Sequence, residues 1–182
     1  QVYASFVRFS HSVFALPFAL AGMMLASRYT LVTLSRVGWV IAAMVAARTA
    51  AMGFNRLVDA RHDALNPRTE AREIPRGVIS RFQAVIFVAF WSSVFVAVTS
   101  QISTLCLALS PAALAIAFWY SLAKRYTNYS QLFLGLAMAV APVGGWLAAG
   151  GRAGWEPWLL GLAIGMWVGG FDVLYACQDV DF

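Results

Sequence analysis

Three properties of this chain predict an all-α, polytopic membrane helix bundle. Of its 182 residues, 61% are hydrophobic and 12% charged, against about 25% charged in a soluble domain. Its mean hydropathy is +0.72. Its apolar residues fall into six runs, at approximately 6–27, 37–55, 82–100, 102–121, 130–149 and 157–178. A helix needs roughly 20 apolar residues to cross a bilayer, so about six transmembrane helices are expected, in a single domain over 1–182.

Each element has its own signal. The first run contains Pro17, expected as a tolerated kink within a membrane helix. A short connection with Arg28 and Arg36 leads to the second run, which ends in "GFNRLVDARHDALNPRT". The connection from about 55 to 81 is the longest and carries six arginines and four acids. "TSQIS" at 99–103 is uncharged and predicts a tight turn between the third and fourth helices. "AKRYTNYS" supplies Lys124 and Arg125, whereas "GGRAGWEPW" holds only Arg152 and Glu156. Gly161, Gly165 and Gly169 recur every fourth residue in the sixth run. They predict close helix packing, since backbone approach supplies the attraction between helices in lipid. Cys106 and Cys177 lie in apolar runs and read as packing residues.

The formal charge of +5 comes from arginines gathered beside apolar runs. That pattern marks a cytoplasmic membrane face, and the partner it implies is the lipid bilayer, not nucleic acid. The second and fourth connections share that face with the acids at the end of the chain. The chain begins at Gln1 and ends in "CQDVDF". It reads as a fragment of a longer protein, with no signal peptide visible in its first apolar run.

The polar residues at that face are the candidates for chemistry. If the second helix continues to residue 63, Asn55, Asp59 and Asp63 stand at i, i+4 and i+8 on one side of it. Two neighbouring carboxylates repel each other, and near lipid the cost rises. A divalent cation removes that cost, and Mg²⁺ typically takes one or two carboxylates together with substrate phosphates. A wet helix end with Asp59 and Asp63 paired to Arg56 and Arg61 fits the spacing equally well. "FDVLYACQDVDF" adds Asp172, Tyr175, Asp179 and Asp181, and 55–63 and 172–181 form a pseudo-repeat of helices ending in acids. Arg68, Arg72, Lys124 and Arg125 are suited to phosphate, and Tyr120 lies beside the last two. Arg48, inside the second run, needs a partner such as Asp59 or a phosphate.

These segments resemble the UbiA superfamily of intramembrane prenyltransferases. "NRLVDARHD" matches its N-x-x-x-D-x-x-x-D form of the first aspartate motif. "NPRTEAREIPRG" resembles the basic loop that follows, and "WYSLAKRYTNYSQLFLG" the Y-x-x-x-K-R-x-T segment. "FDVLYACQDVDF" is similar to the start of the second aspartate motif, whose last aspartate would fall beyond Phe182. "RFSHSVFALPFAL" is similar to the first helix of the quinone-forming branch. Many members carry Asp after the motif's Asn, where this chain has Arg56.

The resemblance implies about nine helices in a whole protein of the inner (plasma) membrane. It implies an enzyme that moves a polyprenyl group from a polyprenyl diphosphate to a small aromatic acceptor, with Mg²⁺ as cofactor. The acceptor it suggests is 4-hydroxybenzoate, for ubiquinone; a naphthoate-type acceptor, for menaquinone, is the alternative. Mg²⁺ would be held by Asn55, Asp59, Asp63, Asp179 and Asp181, and the diphosphate met by Arg72, Lys124 and Arg125. Tyr120 and Tyr175 would line the ring site or shield an allylic cation, and Asp172 would orient the acceptor or help remove the proton. A transporter predicts broken helices and polar residues at the midplane, whereas the polar groups here gather at one end. A purely structural membrane protein would have no use for two acid clusters.

Overall fold

A computed structural model describes residue 6 and residues 15–67, 69–127 and 129–176, without the side chains of 175 and 176, and six helices run through residues 16–176 of that description. They are α1 (Leu16–Ala26), α2 (Leu34–Asp63), α3 (Arg81–Ile102), α4 (Thr104–Ala123), α5 (Ser130–Ala148) and α6 (Glu156–Ala176). Helices α2 to α6 are each long and apolar enough to cross a membrane. No strand occurs among the described residues. α1 is eleven residues long as described, and residues 7–14 of the first apolar run lie outside the description. Pro17 does not kink that helix from within. It sits in the first turn, where its missing N–H has no helical acceptor to lose.

Local chemistry sets the helix ends. Thr33 caps α2 by accepting from the Arg36 amide. Ser80 and Gln83 form a reciprocal capping box at the start of α3. Ser103 closes α3 in an extended conformation and caps α4 by accepting from the Cys106 amide, which is how "TSQIS" turns without charge.

The second helix is the long one. Its 30 residues make a rod of about 45 Å, against a hydrocarbon core of roughly 30 Å. The excess is the polar 55–63 segment, so the aspartates project from the end of a spanning helix.

Packing follows the small residues. α5 lies against α1, α4 and α6, and α2 against α3 and α4. A Cβ added at Gly161, Gly165 or Gly169 would stand 3.1, 3.1 and 3.2 Å from the carbonyl oxygens of Ala139, Gly135 and Gln131. The predicted stripe is thus the α5–α6 seam, where two backbones touch. Trp146 fills the centre of a cluster with Ala19, Met23 and Val40. Large side chains such as Phe82, Phe90, Met166 and Trp167 are exposed, which suits a bundle whose solvent is lipid.

Candidate functional site at the α2 and α4 ends

Each end of the bundle is clasped by its own contacts. At one end, Tyr29 donates to Glu156 Oε1 at 2.9 Å, Arg36 Nη1 donates to the Ala149 carbonyl at 3.0 Å, and Trp146 Nε1 donates to the Arg152 carbonyl at 2.9 Å. At the other end, the C-terminal turns of α2 and α4 meet each other and the 64–80 connection. That second end carries the candidate residues.

The aspartate column is only partly a column. Each four-residue step along a helix advances about 40° around it, so Asp63 is turned well away from Asn55. Asn55 and Asp59 face α4. Asn55 Nδ2 donates to Ser121 Oγ at 3.3 Å, and Asp59 Oδ2 lies 3.5 Å from Lys124 Nζ. Asp63 faces the connection instead and is buried. Arg72 Nη1 donates to both of its carboxylate oxygens, at 2.6 and 2.7 Å. The wet helix end predicted other partners: the structure pairs Asp59 with Lys124 and Asp63 with Arg72, and places Arg56 beside Glu73.

The remaining candidates surround these two ion pairs. Lys124 Nζ sits 5.1 Å from the centre of the Tyr120 ring, within cation–π range. Lys124 thus stands between the Tyr120 ring and Asp59, tying α4 to the end of α2. Arg48 is half-buried, and its Nε makes no hydrogen bond among the described residues; the expected ion pair with Asp59 does not form. Arg125 Nη2 donates to the Val58 carbonyl, so it grips the end of α2 one residue before Asp59. Arg68, Asp179 and Asp181 lie outside the described residues, as does the Tyr175 side chain.

The sequence reading missed Ser121, which fixes the Asn55 amide. Its signal was its place inside "WYSLAKR", directly after Tyr120. Thr69, whose hydroxyl donates to the Asp63 carbonyl at 3.0 Å, was also missed. No cluster of three or more His, Cys, Asp or Glu occurs among the described residues. Of the five expected Mg²⁺ ligands, the described residues hold two carboxylates and one amide, Asp59, Asp63 and Asn55.

The class defined by this fold and this end is a multi-pass membrane protein with its polar chemistry gathered where α2, α4 and the 64–80 connection meet. The chain belongs to the UbiA prenyltransferase family, whose profile matches residues 15–182. A relative from Vibrio vulnificus, a 4-hydroxybenzoate octaprenyltransferase, is 33% identical over 139 residues, which are 76% of this chain and 49% of the relative. The chain thus spans about half the length of the curated relatives it matches. The apo structure of a UbiA homologue from Aeropyrum pernix K1 superposes with a TM-score of 0.86 at 36% identity, covering 95% of this chain and 65% of that one. A UbiA homologue from Archaeoglobus fulgidus bound to DMAPP and Mg²⁺ shares the fold, with a TM-score of 0.81 at 17% identity, covering 100% of this chain and 65% of that one.

Proposed function

We propose that this chain forms a single transmembrane prenyltransferase domain that moves a polyprenyl group from its diphosphate to an aromatic ring, with 4-hydroxybenzoate as acceptor. The observation that carries the reading is the pair of acid–base couples, Asp59–Lys124 and Asp63–Arg72, beside Asn55 at the end of a spanning helix. The curated relatives named as 4-hydroxybenzoate octaprenyltransferases support the choice of acceptor.

The donor set fits Mg²⁺. It is all oxygen, and one or two carboxylates plus substrate phosphates is the usual way that ion is held. The related protein bound to DMAPP and Mg²⁺ points the same way. Asn55, Asp59 and Asp63 would hold the ion from α2, with Asp179 and Asp181 from beyond α6. When bound, it supplies charge neutralisation and Lewis acidity at the diphosphate.

The chain's own residues do the rest. The cations now paired with the acids, Lys124 and Arg72, become donors to the diphosphate once those acids are otherwise engaged. Arg68 and Arg125 add positive charge, and Arg48 offers a buried Nε–H to the substrate. Preorganised charge of this kind stabilises a leaving pyrophosphate. The allylic C–O bond breaks with its electron pair leaving on pyrophosphate, and a ring carbon bonds to the allylic carbon and then loses its proton. Tyr120 and Tyr175 shield the cationic carbon with their ring faces, and Asp172 orients the acceptor. The polyprenyl tail stays in lipid, where each buried methylene contributes about 0.8 kcal/mol.

The test uses membranes holding the complete gene product, with Mg²⁺, a polyprenyl diphosphate and a panel of aromatic acceptors. Asp59→Ala and Asp63→Ala should abolish transfer while Arg28→Ala leaves it intact. Wild-type rates in both aspartate variants would sink the proposal, and transfer to a naphthoate in place of 4-hydroxybenzoate would overturn the acceptor.

A further inference from the structure

The 64–80 connection is fixed to α2 by two neighbouring residues of opposite charge. Arg72 holds Asp63, and the next residue, Glu73, approaches Arg56 Nη1 with Oε2 at 4.0 Å. Both members of the second pair are largely buried, with 6% and 15% of their side chains exposed. Arg56 directly follows Asn55 but points about 100° away from it, off the α4 side and toward the connection.

The charge order makes this contact specific. Arg56 and Asp63 are seven residues apart, two turns along one face of α2. They read plus then minus, and the connection presents plus at Arg72 and minus at Glu73. Bringing Arg72 to Arg56, or Glu73 to Asp63, would juxtapose like charges, which costs several kcal/mol in a desolvated contact. Glu73 is also tied to the backbone that follows it. Its carbonyl accepts from the amides of Val78 and Ile79 at 2.9 and 3.2 Å, across a turn closed by Gly77 at a φ of 73°, and Ile79 is buried against α3.

We propose that Arg56 and Glu73 are a positioning pair that sets the register of the 64–80 connection on α2 and so holds Arg72 at Asp63. Neither residue touches substrate. The kinetic part of this inference rests on the proposed function, in which Arg72 meets the diphosphate; the seating of the connection does not.

The experiment compares Glu73→Gln, Arg56→Met and the double variant of the complete gene product in lipid nanodiscs. One readout is hydrogen exchange at the Val78 and Ile79 amides, and the other is kcat and KM for the prenyl diphosphate. Each single variant removes one charge of this buried contact. Each should exchange roughly tenfold faster and lower kcat/KM roughly tenfold, with kcat falling, because Arg72 acts on the charge that develops on the leaving pyrophosphate. The double variant removes both charges of the contact together and should lie closer to the wild type than either single variant. Single variants with unchanged exchange, or effects that multiply in the double variant, would overturn the pair. Faster exchange in a protein whose wild type transfers no prenyl group would uphold the pair and remove the proposed function.

Discussion

Asp63 has a structural role and a proposed functional one, which mutation can separate. It is buried, and both its oxygens are held by Arg72. Arg72→Ala leaves a carboxylate without its charge-assisted bonds and should cost about 1–3 kcal/mol of stability. Asp63→Asn keeps an amide oxygen that still accepts from Arg72, so its stability cost should be smaller. Activity should rank the other way: Asp63→Asn removes the charge proposed to hold Mg²⁺ and should abolish transfer, while Arg72→Ala keeps a residue of it. Denaturation in detergent and a prenyl-transfer assay on the same two preparations check both orders. At the opposite end, the hydrogen bond to Glu156, followed by that carboxylate's charge, raises the Tyr29 pKa above its ordinary 10.0. The neutral phenol is the form that folding favours, so the contact is fully present below pH 10.0 and is lost as pH rises through the raised value. Tyrosine-selective NMR should find Tyr29 titrating late, and Glu156→Gln should return it toward its ordinary range.

Among the elements, the seam between α5 and α6 is the most exacting. A Cβ at Gly135 would run into the Gly165 carbonyl, whereas one at Gly144 would meet nothing within 4 Å. Gly135→Ala should therefore destabilise the bundle by about 1–3 kcal/mol through overpacking. Gly144→Ala should be neutral or stabilising by less than about 1 kcal/mol. Thermal melting of the two variants in one detergent distinguishes them. The Gly161, Gly165 and Gly169 stripe was legible because close packing in lipid needs small residues at a fixed spacing. The spans were legible because burial in hydrocarbon leaves a continuous apolar run. The extension of α2 to Asp63 was legible only as a condition, since "NRLVDARHD" has lost the apolar signal. The division of the acids between α4 and the connection was not legible. It depends on the drift of about 40° per four residues and on where a 17-residue connection folds back, and neither leaves a trace in composition. Arg56 with Glu73 was hidden for the same reason: the partner lies in a segment with no periodicity to read.

For the whole molecule, the distribution of charge predicts which way the bundle faces. The α2 and α4 ends lie together, joined through Asp59 with Lys124 and Val58 with Arg125. That end carries Arg61, Arg72, Arg76, Arg81, Lys124 and Arg125, while the other carries Arg28, Arg36 and Arg152. Lys and Arg in short connections set orientation by staying on the cytoplasmic side. The proposed chemistry demands the same side independently, because an anionic diphosphate does not cross the hydrocarbon core unaided. Two exposed residues report the outcome: Leu65 beside the candidate site, 84% exposed, and Trp155 at the far end, 68% exposed. Each is replaced by Cys in a background carrying Cys106→Ala and Cys177→Ala. A membrane-impermeant maleimide should label the Trp155→Cys variant in intact cells and the Leu65→Cys variant only in inside-out vesicles. The reverse pattern would put the acids and arginines outside, and the proposed cytoplasmic placement of the reaction would fall with it.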